Sequence, residues 1–239
     1  MQRCVAGAAT VIGSGMSLPH APAAVVFDMD GLLFDTETLY QEAFLLAAAE
    51  GGYEAAVEVS RRMIGLPWHR GRELLLEHFG AAFPAEDFEA AWVRQFWVIA
   101  ETRLALKPGA LELLDLLDEL SLPRAIATSS SHRTIQHHLA AHGLTDRFHA
   151  LVGAGDYAAG KPAPDPFLTA AARLGVAPEQ CLALEDSFNG VRSASSASMV
   201  TIMVPDLLQP SDEIRDLCAT VAGDLHAVCR LILDARSRS

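Results

Sequence analysis

Short apolar runs alternate with stretches that repeat an apolar residue every third or fourth position along most of the chain. The runs at 24–28, 124–128, 149–153, 181–184 and 200–204 are rich in Val, Ile, Leu and Ala. That is the pattern of strands buried on both faces. Between them, the segments 110–120, 132–142, 166–175 and 189–197 repeat at helical spacing. Strands alternating with helices in this way predict an α/β fold with a parallel sheet.

Residues 36 to about 105 break the alternation. Four amphipathic helices are expected there, over Thr38 to Glu50, Ala55 to Met63, His69 to Phe79 and Glu86 to Leu104, with Gly51-Gly52 and Gly80 as stops. The pattern predicts a helical cap over 37–104, inserted into a core made of 23–36 and 105–239. Its hinges fall at Phe34-Asp35-Thr36 and Leu106-Lys107-Pro108-Gly109, and Trp92, Phe96 and Ile99 recur at the spacing of a cap core. Residues 1–22 show no periodicity and are expected to be disordered or extended, with Met16 a second candidate initiator. From Ser211 onward one or two helices pack on the sheet, with Arg236 to Ser239 frayed.

At 239 residues and 51% hydrophobic content, the chain is long enough for a sizeable core and a smaller satellite. Thirty acids against eighteen bases give a net charge of −12, with no Lys/Arg cluster. Such a surface repels nucleic acid. The early apolar run is too short and too interrupted by glycine to span a membrane. Cys4, Cys181, Cys218 and Cys229 lack metal-type spacing, and reduced thiols of a cytoplasmic protein are expected. His132, His137, His138 and His142 share one helix, and His138 and His142 stand at i,i+4. Without a third ligand in view, no zinc site is expected. A monomer is expected, and a dimer stays open.

The candidate chemistry sits just past the first strand. Asp28 and Asp30 lie two apart in an extended segment, so both face one site, and Gly31 permits a sharp turn after them. Alone, this segment reads equally well as an ordinary turn. Three later segments add to it. Thr128 ends a strand and runs into Ser129-Ser130-Ser131, where hydroxyls and amides suit an anion ahead of a helix. Lys161 sits in the proline-braced loop Gly160 to Pro166. Glu185-Asp186 close a further strand. Asp165 before Pro166 reads as a helix N-cap.

These four segments, in this order, resemble the four motifs of the haloacid dehalogenase superfamily of phosphohydrolases. Phe27-Asp28-Met29-Asp30-Gly31-Leu32-Leu33-Phe34-Asp35-Thr36-Glu37 is similar to the β-phosphoglucomutase-like branch with a helical cap. The resemblance implies a Rossmann-like core and hydrolysis of a small phosphomonoester, a sugar phosphate or nucleotide-like metabolite. It implies Asp28 as nucleophile, Asp30 as general acid and base, and Thr128, the Ser129 amide and Lys161 around the phosphate. Mg²⁺ would be held by Asp28, the Asp30 carbonyl and Asp186, with Glu185 as a ligand or a support for one of its waters. The loop Ile64 to Arg70 resembles the cap loop that meets the leaving group, which makes Trp68 and Arg70 specificity candidates.

Two departures stand out. Five positions after Asp35, where the mutases carry a histidine, this chain has Tyr40, which favours hydrolysis over phosphoryl transfer to a sugar and makes Tyr40 a substrate-side candidate. A sugar-phosphate mutase is the alternative, and a non-catalytic phospho-ligand-binding protein a third reading. Ser198 stands where relatives usually close a helix with glycine, a cost to stability if φ is positive there.

Overall fold

The computed structural model describes residues 17–54, 57–64, 66 and 68–238. Six strands, β1 (Ala24–Phe27), β2 (Arg124–Ala127), β3 (Ala150–Val152), β4 (Cys181–Glu185), β5 (Val200–Met203) and β6 (Thr220–Val221), form one parallel sheet in the order β3-β2-β1-β4-β5-β6. That is the doubly wound arrangement, with its switch point beside β1. The predicted strands all appear. β6 was not expected from sequence, because its two residues are only half-buried and carry no periodic signal.

Period-2 alternation along β1 sends Val25 and Phe27 to one face of the sheet and Ala24 and Val26 to the other. The first face is covered by α5 (Ala110–Glu119), α6 (His132–Ala141) and α10 (Leu225–Ser237), which contribute Leu113, Leu117, Leu139, Val228 and Ile232. The second is covered by α7 (Asp165–Leu174) and α8 (Phe188–Ser196), through Phe167, Ala170, Ala171 and Ala194. The remaining core helix is α9 (Asp212–Leu217).

Between β1 and α5 the chain forms α1 (Thr36–Glu50), α2 (Val57–Met63), α3 (Trp68–Phe79) and α4 (Ala85–Arg103). They carry their own apolar clusters, one around Phe44, Val59, Leu75 and Phe88 and another around Leu39, Ala43, Phe96 and Ile99. Phe96 and Ile99 are buried as expected, and Trp92 packs beside them while its indole donates to the Tyr40 carbonyl at 2.7 Å. The two chain crossings to this insertion are hydrogen-bonded together: Asp35 N donates to Ala105 O and Lys107 N to Leu33 O, both at 2.9 Å, with Phe34 and Leu106 paired antiparallel.

Two expectations need correction, at the C-terminus and at Asp165. Leu18, in a stretch without helix or strand ahead of β1, is 3% exposed within the main core cluster and its carbonyl accepts from Arg238. Met16, Ala55 and Cys4 lie outside the described residues. α10 continues through Ser237 rather than fraying at Arg236, because Ala235 still reaches the core. Asp165 is the first residue of α7 and makes no side-chain cap; Pro164 occupies the cap position, so Pro166 falls at the second helical residue. Ser198 does take a positive φ of 63°.

Candidate functional site

Alternation continues one turn past β1. Asp28 N still pairs with Leu184 O at 2.9 Å, Phe27 and Met29 point into the core, and Asp28 and Asp30 face a cavity. A tight turn follows, with Gly31 N donating to Phe34 O and Leu33 N to Met29 O. Gly31 has φ 80°, and any Cβ there would collide with the Asp186 carboxylate, so both backbone sign and close approach demand glycine.

Lys161, on the loop before α7, brings its ammonium 2.5 Å from Asp28 Oδ1 and 2.5 Å from Glu185 Oε1. Glu185 is fully buried at the end of β4. Its second oxygen accepts from the amides of Asp186 and Ser187 and from the Ser187 hydroxyl at 3.0–3.1 Å. A Cβ on Gly190 would occupy the space of the Glu185 carboxyl, which is why α8 carries glycine in its first turn.

Asp28, Glu185 and Asp186 each offer an oxygen within 4.8 Å of the others, an arrangement that could hold a metal ion. Burial, reinforced by neighbouring carboxylates, holds the Asp28 and Asp186 carboxyls well above the ordinary range despite Lys161. Burial alone would lower Lys161, yet Asp28 and Glu185 raise it above a free lysine. One cation among three buried acids leaves a deficit of positive charge, and an all-oxygen donor set suits a hard divalent cation. Asp28 and Asp186 fit that part best, since both Glu185 oxygens already accept hydrogen bonds.

From β2, Thr128 is buried and its amide pairs with Val152 O. Its hydroxyl lies 3.4 Å from Asp30 Oδ2, while the Ser130 hydroxyl donates to the same oxygen at 2.7 Å. Ser131 caps α6 by accepting from the Thr134 amide, directly after Ser129 and Ser130 in the cavity wall. Burial lowers His138 on that helix below an ordinary histidine, with Asp30 opposing.

The cavity is about 530 Å³ and is lined by Asp28, Asp30, Thr128, Ser129, Lys161 and Asp186 from the core and by Tyr40, Ile64, Leu66 and Trp68 from the insertion. A second cavity of about 180 Å³ shares Glu37, Tyr40, Ile64 and Leu66 with it. Tyr40 stacks on Phe96 at 3.9 Å.

Of the residues expected from sequence, Asp28, Asp30, Thr128, Ser129, Lys161, Asp186, Tyr40 and Trp68 are brought to this cavity, with Glu185 behind Lys161. Arg70 is not. It lies two residues along α3 from Trp68, is 61% exposed and pairs with Glu73, because the helix turns it away. Sequence reasoning gave Ser130 only as one of three serines and His138 only as one of four histidines on its helix, and it gave Glu37 no role. Glu37 lines both cavities from the first turn of α1, and its carboxyl is pushed up to about 7 by burial and by Asp30 and Asp206. An acid in a first turn also reads as a helix-dipole charge, so its sequence signal was ambiguous.

The family model for haloacid dehalogenase-like hydrolases matches residues 22–198. A Drosophila melanogaster protein named "Probable pseudouridine-5'-phosphatase" is 39% identical over 187 residues, covering 76% of this chain and 80% of that one. Hexitol phosphatase B of Escherichia coli K12 is 36% identical over 198 residues, covering 80% and 86%. The crystal structure of CbbY from Rhodobacter sphaeroides in complex with phosphate superimposes with a TM-score of 0.71 at 27% identity, over 85% of this chain and 95% of that one.

Proposed function

The chain belongs to the haloacid dehalogenase-like hydrolases, and from that membership we propose that it is a Mg²⁺-dependent phosphatase of a small phosphomonoester, a sugar phosphate or a nucleotide-like metabolite. The observation that carries the reading is the pairing of Asp28 with Lys161 at the switch point of the sheet, with Asp30 beside it and Asp186 opposite. Asp28 attacks phosphorus through a carboxylate oxygen, and the bond to the leaving oxygen breaks, giving an aspartyl-phosphate. Asp30 gives its proton to the departing alkoxide, then takes one from the water that hydrolyses the intermediate. Lys161, Thr128 and the Ser129 amide hold the phosphoryl oxygens as charge develops. Asp28, Asp186 and the Asp30 carbonyl would hold Mg²⁺, which supplies charge neutralisation at the phosphoryl group. Glu185 keeps Lys161 in place.

A cavity of about 530 Å³ suits a metabolite rather than a protein substrate. Trp68 and Tyr40 from the insertion face the leaving group, and Tyr40 in place of the mutases' histidine favours water as acceptor. Net charge −12 argues against a nucleic-acid partner. No helix among the described residues is long and apolar enough to cross a membrane, and the thiols of Cys181, Cys218 and Cys229 are free, which suits the cytoplasm. Phosphate release across a panel of phosphorylated metabolites with Mg²⁺ tests the reading. Chelation and Asp28→Asn are both expected to abolish release while the fold survives; wild-type turnover in Asp28→Asn would assign the nucleophile elsewhere.

A further inference from the structure

Two buried polar atoms, Asp30 Oδ1 and His138 Nε2, have no hydrogen-bond partner among the described residues. They face each other at 4.0 Å. Buried polar atoms are nearly always paired, so two that are unpaired and adjacent call for a reason. His138 is 0% exposed, with Phe34 at 5.4 Å between ring centroids and Phe96 and Trp97, from the helical insertion, at 6.2 and 5.8 Å. A phenyl ring would satisfy that surrounding with no desolvation cost, which leaves packing a poor account of an imidazole. Its other nitrogen lies 3.3 Å from His137 Nδ1. A neutral imidazole carries one N–H. If His137 donates to Nδ1 of His138, the proton of His138 sits on Nε2, aimed at Asp30.

We propose that His138 is a positioning residue for Asp30: its Nε2–H donates to Asp30 Oδ1 after a shift of about 1 Å, and this bond fixes the carboxyl plane. Oδ2, which the Ser130 hydroxyl holds at the cavity wall at 2.7 Å, is then the oxygen that delivers and collects the proton. The inference rests on the hydrolase reading of Asp30. It also makes the insertion a contributor to proton transfer, since Phe96 and Trp97 exclude water from His138.

Pre-steady-state turnover of an aryl phosphate separates the two halves of the reaction. A phenolate departs without a proton, whereas hydrolysis of the intermediate still needs Asp30 as base. His138→Phe keeps a buried ring and removes Nε2. In that variant a burst of phenolate at the wild-type rate is expected, followed by turnover slower by roughly tenfold or more. His138→Gln, whose amide N–H can take the place of Nε2–H, should recover most of the loss. Burst and steady rate falling together, or a steady rate within about twofold of wild type, would overturn the proposal. If His138→Phe does not fold, ¹⁵N correlation spectra of the wild-type imidazoles decide it: a proton on Nε2 of His138 supports the role, and a proton on Nδ1 overturns it. Failure of the hydrolase reading has a different signature, namely wild-type protein that releases no phosphate or a turnover indifferent to Asp28→Asn.

Discussion

Lys161 Nζ bridges Asp28 and Glu185, 2.5 Å from a carboxylate oxygen of each. The bridge ties the loop before α7 to the ends of β1 and β4, and its ammonium opposes the burial that raises the Asp28 carboxyl. Removing the ammonium leaves three buried acids with no cation beside them. Lys161→Gln is therefore expected to lose ~10²–10³ in kcat and several degrees in Tm, the latter partly restored by added Mg²⁺. Phosphate-release kinetics and thermal melts check both, and a kcat within about twofold of wild type contradicts the role.

Glu37 carries a pH signature. Burial, with Asp30 and Asp206 adding and Lys107 opposing, raises its carboxyl from 4.5 to about 7. An acid raised in the folded state contributes stability in full below its unfolded value and loses it as pH rises through its folded value. In metal-free protein, Glu37→Gln should flatten the fall in Tm between pH 4.5 and about 7 and raise Tm above that range. Melts in EDTA across the range measure it; an unchanged slope would contradict the assignment.

Ser198 holds φ 63° just after α8 and pairs its amide with Ser195 O at 2.9 Å. A side chain in this conformation costs roughly 1 kcal/mol relative to glycine. Ser198→Gly should raise Tm by about 2–4 °C with kcat and KM unchanged. A lower Tm would mean that the hydroxyl makes an interaction worth more than the strain.

Trp68 lines the cavity and Arg70 does not. Trp68→Ala should raise KM for the true substrate by roughly tenfold, the worth of one lost apolar contact, while Arg70→Ala leaves kcat/KM within about twofold. Equal effects of the two changes would place the leaving group elsewhere.

The sheet and the acid pairs were legible because each depends on a local rule: apolar runs mark buried strands, and a residue just past a parallel strand faces the switch point. Asp28 and Asp186 could thus be placed at one site without knowing the packing, whereas Lys161, in the loop nine residues past β3, was assigned only through the resemblance of its loop to a family motif. Ser130 could not be distinguished from Ser129, since three hydroxyls in a row look alike until the Ser131 cap sets how α6 begins. His138 was one histidine of four on its helix, and only the seating of α6 against Phe34 selects it. Arg70 failed for the opposite reason. Its nearness to Trp68 in sequence carried no information on the helical phase that turns it to solvent.

The hydrogen bonds Asp35 N to Ala105 O and Lys107 N to Leu33 O join the two ends of a seventy-residue excursion side by side. A loop whose ends already touch adds little closure entropy as it lengthens. The sheet therefore feels the same boundary whether the excursion is four helices or a short turn. Leu33 and Phe34 stay buried in the core cluster on the near side of that junction. The helices of the insertion can thereby be remodelled without disturbing the register that holds Asp28 against Lys161, so long as Phe96 and Trp97 still cover His138.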